Sequence, residues 1–140
     1  MEKANINSLE LTEFTGKHDP VQHCHATFPL FGAHGTQSTA TVYFELEPGD
    51  ILGRHTDSAE ELLFILEGEV EAEVDGETAS LVSGDIALVP KMAPHNLSNK
   101  GTTRAKVLGI FGGANQIVAT FDQPWLPVDS NTVDTAKMTG

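Results

Sequence analysis

The feature that most limits what this chain can fold into is an alternation of apolar and polar residues, broken every few positions by turn formers. In "TATVYFELEPGD", Ala40, Val42, Phe44 and Leu46 alternate with Thr41, Tyr43, Glu45 and Glu47, and Pro48-Gly49-Asp50 ends the run. Successive side chains of a strand point to opposite faces, so this pattern describes a strand with one buried side. Leu62 to Leu66 is apolar at every position, as expected of a central strand. Alternation resumes at Val70, Ala72 and Val74, and Asp75-Gly76 is the strongest hairpin signal in the chain. Further short strands are expected at Thr78 to Val82, Ile86 to Pro90, Arg104 to Phe111 and Gln116 to Phe121. No window carries a sustained helical period with caps at both ends. Many short strands at regular spacing predict an all-β sandwich or barrel.

The 140 residues suit one domain with a sizeable core, and 13 Gly with 7 Pro favour turns over long helices. No stretch reaches the roughly 18 consecutive apolar residues of a membrane helix. The start, "MEKANINSLELTEF", lacks a secretion signal's hydrophobic core, and the only cysteine, Cys24, forms no internal disulfide. Both point to a cytoplasmic protein in a reducing compartment. Cys24 itself is expected to act as a small buried hydrophobe. A net charge of −12 with only 8 Lys and Arg argues against nucleic acid or an anionic membrane as partner. Much of the acid lies in "EGEVEAEVDGE", Glu67 to Glu77, where alternation with apolar residues marks the wet face of a strand.

The chemistry gathers in "GRHTDSAEELLFILEG", where polar groups crowd against the most apolar run of the chain. His55 and Asp57 are two apart, so on a strand they share a side. Glu61 follows a turn, and His95 comes after the hairpin, behind Pro94. Two imidazoles and one or two carboxylates from neighbouring strands make a mixed N/O set suited to a divalent first-row metal. The competing explanation from spacing alone is a group of solvated turn residues. "PGDILGRH" and "SGDIALVP" both contain Gly-Asp-Ile, at Gly49 and Gly84, each ahead of a histidine, as in two halves of a jelly roll. "HCH", His23 to His25, has metal-like spacing but reads first as an edge strand or loop. His18 and His34 sit among loop formers. Trp125 is expected to pack a terminal segment onto the barrel or a neighbouring subunit, ahead of a substrate-stacking role. Arg54 alternates away from His55.

Two spacings give the chain a family resemblance. Gly49, His55, Glu61 and Gly68 resemble the first motif of the cupins, and Gly84, Pro90, His95 and Asn99 resemble the second. The resemblance implies a small single-domain cupin, a double-stranded β-helix or jelly-roll barrel. Residues 39–122 would form the barrel, residues 1–38 a segment packing on it or on a partner, and residues 123–140 an extension that frays at its end. The cupin metal set implies His55, Glu61 and His95 as ligands, with Asp57 at the position the family usually gives to a further histidine. Asp57 is shorter, so it binds directly, binds through water, or serves as a base. Met92 stands where the second motif usually has glycine, which would alter the turn and bring a thioether near the site. Buried carboxylates without a partner are costly, and a cation removes much of that cost. The resemblance implies a metal-dependent enzyme of dioxygenase type on a small organic molecule, with Fe(II) or Mn(II) favoured over Zn or Ni. An isomerase or cyclase, a non-catalytic ligand-binding module and a structural barrel are the alternatives. Exposed edge strands and cupin habit together predict a homodimer, with residues before Thr39 or around Trp125 crossing to the partner.

Overall fold

Twelve strands form along the alternating segments, and three single turns of 3-10 helix, Ile6–Ser8, Gly32–His34 and Thr135–Lys137, are the helical pieces of residues 1–138, which the computed structural model describes. β1 (Thr12–Gly16) and β2 (His23–Thr27) precede the motifs. The motif region supplies β3 (Thr39–Leu46), β4 (His55–Asp57), β5 (Glu60–Glu67), β6 (Glu69–Val74), β7 (Glu77–Val82), β8 (Ile86–Val89) and β9 (His95–Ser98). β10 (Ala105–Gly112), β11 (Val118–Leu126) and β12 (Ser130–Asp134) follow. Among these residues no helix is long and apolar enough to cross a membrane.

The strands pair antiparallel in the order β7-β6-β9-β4-β11-β1-β2-β3-β10-β5-β8, with β12 added beside β11. The sheet curls into a jelly-roll barrel, so Leu63 of β5 and Leu97 of β9, far apart in strand order, line one cavity. Residues 1–38 therefore build part of the wall: β1 hydrogen-bonds to β11 through Thr15–Leu126 and Gly16–Trp125, and β2 pairs with β3. At the other end, β12 lies on β11 and Thr135 is fully buried. The end expected to fray includes residues 139–140, which lie outside the described residues.

Alternation sets the core. β5 turns Glu61, Leu63 and Ile65 inward, and all three are buried. Truncating a side chain such as Leu63 would cost about 2–5 kcal/mol. The outer face of β5 differs from the sequence expectation: it is apolar but not covered, and Leu62 is 43% exposed. The two Gly-Asp-Ile segments fold alike. Gly49 and Gly84 have φ of 91° and 94°, and each following aspartate accepts a hydrogen bond from the backbone N–H three residues before it, Glu47 or Val82, at 2.8 Å. Asp75 and Gly76 both have positive φ, as a two-residue hairpin turn between β6 and β7 requires.

Candidate metal centre

β4 and β9 pair at one point, His55 opposite His95. That register brings the rings to a centroid separation of 4.0 Å. Asp57, two residues along β4, points to the same side. Its Oδ2 lies 3.1 Å from His95 Nε2 and 3.8 Å from His55 Nε2. Glu61, at the start of β5, brings Oε1 to 3.6 Å from His95 Nε2. All four residues are buried. His55, Asp57 and His95 offer donor atoms within 4.8 Å of one another. Glu61 stands beside this trio through its approach to His95.

Both rings are held by their other nitrogen. His55 Nδ1 lies 2.8 Å from the Gly53 carbonyl and His95 Nδ1 lies 2.9 Å from the Ala93 carbonyl. A ring that donates from Nδ1 presents the Nε2 lone pair to the centre, as metal-binding histidines do. Two atoms there, Asp57 Oδ2 and His95 Nε2, are buried without a hydrogen-bond partner. Buried polar atoms are almost always paired. The donor set and its orphaned atoms therefore fit a divalent cation.

The field inside the metal-free cluster is divided. Burial disfavours charge on His55, assisted by His95, and pulls its pKa down to about 4. Burial also opposes charge on His95, but Asp57 and Glu61 outweigh it and push the ring up to about 10. Burial raises Glu61 against the pull of His95. The cluster thus retains a proton in the place where a cation would otherwise balance the carboxylates.

The centre opens into a cavity of about 80 Å³ lined chiefly by apolar side chains, among them Phe14, Phe44, Leu63, Phe111 and Ile117. Among the described residues, no Lys or Arg lines it. Phe121 stacks on His55, with centroids 4.3 Å apart and planes 14° from parallel. Trp125 stands edge-on to both Phe121 and Phe14 and is 2% exposed, so it packs inside its own barrel and lines the cavity. The places of Phe14, Phe111, Ile117 and Phe121 in this wall were not identified from the sequence. Phe121 meets His55 only through the pairing of β11 with β4, a contact between residues distant in the chain. Gly109 was also missed. A Cβ there would collide with Glu61 Oε2 and with Val42, so the missing side chain makes room for the carboxylate.

Other assignments resolve as follows. Cys24 lines the cavity, and burial pushes its thiol up to about 12, which leaves it an inert apolar group. Arg54 is exposed. His34 belongs to a 3-10 turn and His18 to a bend, while His23 and His25 lie on β2. Met92 does not bring its thioether to the site, contrary to expectation: it is 55% exposed and does not line the cavity. It keeps the turn a glycine would make, at φ 62°, and its N–H donates to the Asp57 carbonyl at 3.0 Å.

The family model for the cupin domain matches residues 42–111. The chain belongs to the cupin family. No curated protein sequence matches it. Solved cupin-fold structures resemble it at low identity. An Acidithiobacillus ferrooxidans protein provisionally assigned as a sugar phosphate isomerase is 20% identical at a TM-score of 0.66, covering 96% of this chain and 91% of that one. The polyketide cyclase RemF of Streptomyces resistomycificus is 16% identical at a TM-score of 0.65, covering 80% and 79%. A Thermotoga maritima protein provisionally assigned as an oxalate decarboxylase is 20% identical at a TM-score of 0.66, covering 78% and 96%. These likenesses concern the fold. Within it, this cupin carries Asp57 in its candidate metal centre, and motif residue Asn99 has a structural task. Asn99 Nδ2 donates to the Leu46 and Thr103 carbonyls, each at 2.8 Å, and so ties β3 to the loop after β9.

Proposed function

We propose that this cupin is a metal-dependent enzyme acting on a small, weakly polar organic molecule, with His55, Asp57, Glu61 and His95 as the metal-binding set. The observation that carries this is the pair of orphaned buried atoms, Asp57 Oδ2 and His95 Nε2, facing an apolar cavity beside His55. The two atoms lie 3.1 Å apart without the alignment of a hydrogen bond, as donors aimed at a common point rather than at each other. Fe(II) or Mn(II) is favoured by the mixed imidazole and carboxylate donors, which also suit Zn or Ni, and such an ion would supply Lewis acidity and activation of dioxygen.

The chain's own groups supply the remainder. The backbone carbonyls of Gly53 and Ala93 fix the two rings. Phe121 holds the flat face of His55. The apolar wall excludes water and seats the substrate skeleton. With no Lys or Arg along that wall among the described residues, a phosphate or a dicarboxylate would find no counter-charge except the metal. That favours a neutral or singly charged substrate. Asp57 also lines the cavity, and a carboxylate oxygen that the metal leaves unpaired would be placed to take a proton from substrate. Oxygen chemistry of dioxygenase type is our preferred reaction class. The same unpaired carboxylate also favours a second reading, an isomerase or cyclase in which Asp57 takes a proton and returns it without consuming dioxygen.

The test is metal content. Protein purified without added metal should carry about one divalent ion per chain, and His95→Ala should lose it. Equal content in the two proteins would overturn the assignment. Dioxygen uptake by the loaded wild type would separate the two reaction classes.

A further inference from the structure

The histidines of "HCH" lie outside the centre just described. Alternation on β2 sends Cys24 and Ala26 into the cavity lining, and His23 and His25 to the outer face. Glu13 on β1 is directly opposite His25 in the register. Its Oε2 lies 2.8 Å from His23 Nε2 and 3.8 Å from His25 Nε2. The two rings stand edge to face with centroids 5.2 Å apart. Donor atoms of the three residues fall within 4.8 Å of one another.

We propose that Glu13, His23 and His25 form a second metal site, on the outer face of the barrel wall, for a borderline divalent cation of the Zn²⁺ type. The independent support is the group behind His23. Asp50 Oδ2 lies 2.8 Å from His23 Nδ1, and the Asp50 side chain is only 13% exposed. A carboxylate on one ring nitrogen fixes the tautomer and aims the other nitrogen, here Nε2, at the ligand position. The same Asp50 oxygen accepts from the Glu47 N–H, so the orienting group is itself anchored in the first Gly-Asp-Ile turn. Two imidazoles with one carboxylate favour Zn²⁺, Ni²⁺ or Cu²⁺ over Mg²⁺ or Ca²⁺. Glu13 is 58% exposed, so water can complete the shell. Glu45 of β3 also stands opposite His25, but its Oε2 accepts the Tyr43 hydroxyl at 2.6 Å and its Oε1 lies 3.6 Å from Arg104 Nη1, so it stays outside the donor cluster. The cation would replace a proton on His23 Nε2 and tie β1, β2 and the turn before β4 together. The buried centre and the outer site would then lie on opposite faces of the barrel wall.

The test uses Zn²⁺ alone, titrated into metal-free protein and followed by calorimetry and by the imidazole NMR signals. In a His95→Ala background, which disables the buried centre, about one ion should still bind, and the His23 and His25 signals should shift. Adding His25→Ala or Glu13→Gln should weaken that ion at least tenfold. Asp50→Asn should weaken it about 10- to 100-fold, because only the orienting carboxylate is lost. Indifference of the retained ion to all three substitutions would overturn the site. So would the absence of any ion in the His95→Ala protein while wild type binds one, since Glu13 and Asp50 would then be holding a proton on His23 and nothing else. The converse, an ion sensitive to His25→Ala but not to His95→Ala, would count against the buried centre and leave the outer site standing.

Discussion

Asp57 is where this cupin departs most from its family's pattern, and its consequences are chemical. It stands on the same strand face as His55, at a position where an imidazole would reach further into the centre. Asp57→His should keep metal, because it adds a common ligand, but it removes the carboxylate beside the open face. Turnover and its pH profile should change, and an unchanged profile would deny Asp57 a proton-transfer role. The neighbouring groups make stability depend on pH when metal is absent. His95 is raised from 6.5 to about 10, so its stabilisation is complete below 6.5 and is lost as pH climbs towards 10. Glu61, raised by burial, likewise contributes at low pH and loses that contribution as pH climbs above the ordinary carboxyl range. His55 works in the opposite sense: its depressed value gives stability above 6.5 that is lost as pH falls towards about 4. Metal-free protein should therefore melt at lower temperature as pH rises from 6.5 to about 10, and a bound divalent ion should flatten the decline by balancing the carboxylates. Melting curves in chelator and in Mn²⁺ would check this, and a metal-free midpoint that rises across the window would contradict it.

Strands and turns carry those side chains, and here Met92 offers a direct measurement. It occupies the left-handed region in the turn that hydrogen-bonds to Asp57, a conformation that costs a side-chain-bearing residue about 1–2 kcal/mol. Met92→Gly should relieve much of that strain, and the extra freedom glycine brings to the unfolded chain should return part of it. The expected net gain is about 1 kcal/mol, read as a higher melting temperature with metal content unchanged. A lower melting temperature would mean that the Met92 side chain contributes packing its exposure does not suggest. Elements such as β3, β6 and the Asp75-Gly76 hairpin were legible in the sequence because alternation and turn chemistry are local. So was the two-residue step that puts His55 and Asp57 on one face. The extension of β11 through Pro124 to Leu126, and the entry of β1 and β2 into the wall, were not legible. They depend on pairings with β1, β3 and β12, whose partners are far apart in the chain. The same holds for Phe121 against His55 and for Gly109 beneath Glu61. Register creates both contacts, and no short window of residues contains either.

At the scale of the whole molecule, the unresolved matter is the outer face of β5, β8 and β10. Cross-strand register places Leu88, Leu62 and Ile110 in one row and Ile86, Phe64 and Leu108 in the next. Ile86 is 65% exposed and Leu88 55% exposed, on a strand that ends the sheet order with only β5 beside it. An uncharged apolar grid next to an open edge is unusual for a monomer, above all in a chain of net charge −12. A charged partner would gain nothing there, whereas a second copy brings the same apolar rows, and a two-fold axis lets them face each other. The homodimer expected from the sequence is therefore proposed on this face. Within one chain, β1 lies on β11 and Trp125 against Phe14 and Phe121. A stable pairing should bury at least roughly 1,000 Å² in total. Light scattering of the wild type should give a dimer mass at micromolar concentration. Leu62→Lys with Leu88→Lys should give a monomer, because each copy would set two charges against its partner's apolar rows, while metal content stays unchanged. A wild-type monomer at high micromolar concentration would rule the dimer out. A dimer that survives both lysines would move the contact to another surface and leave this grid without the role assigned to it.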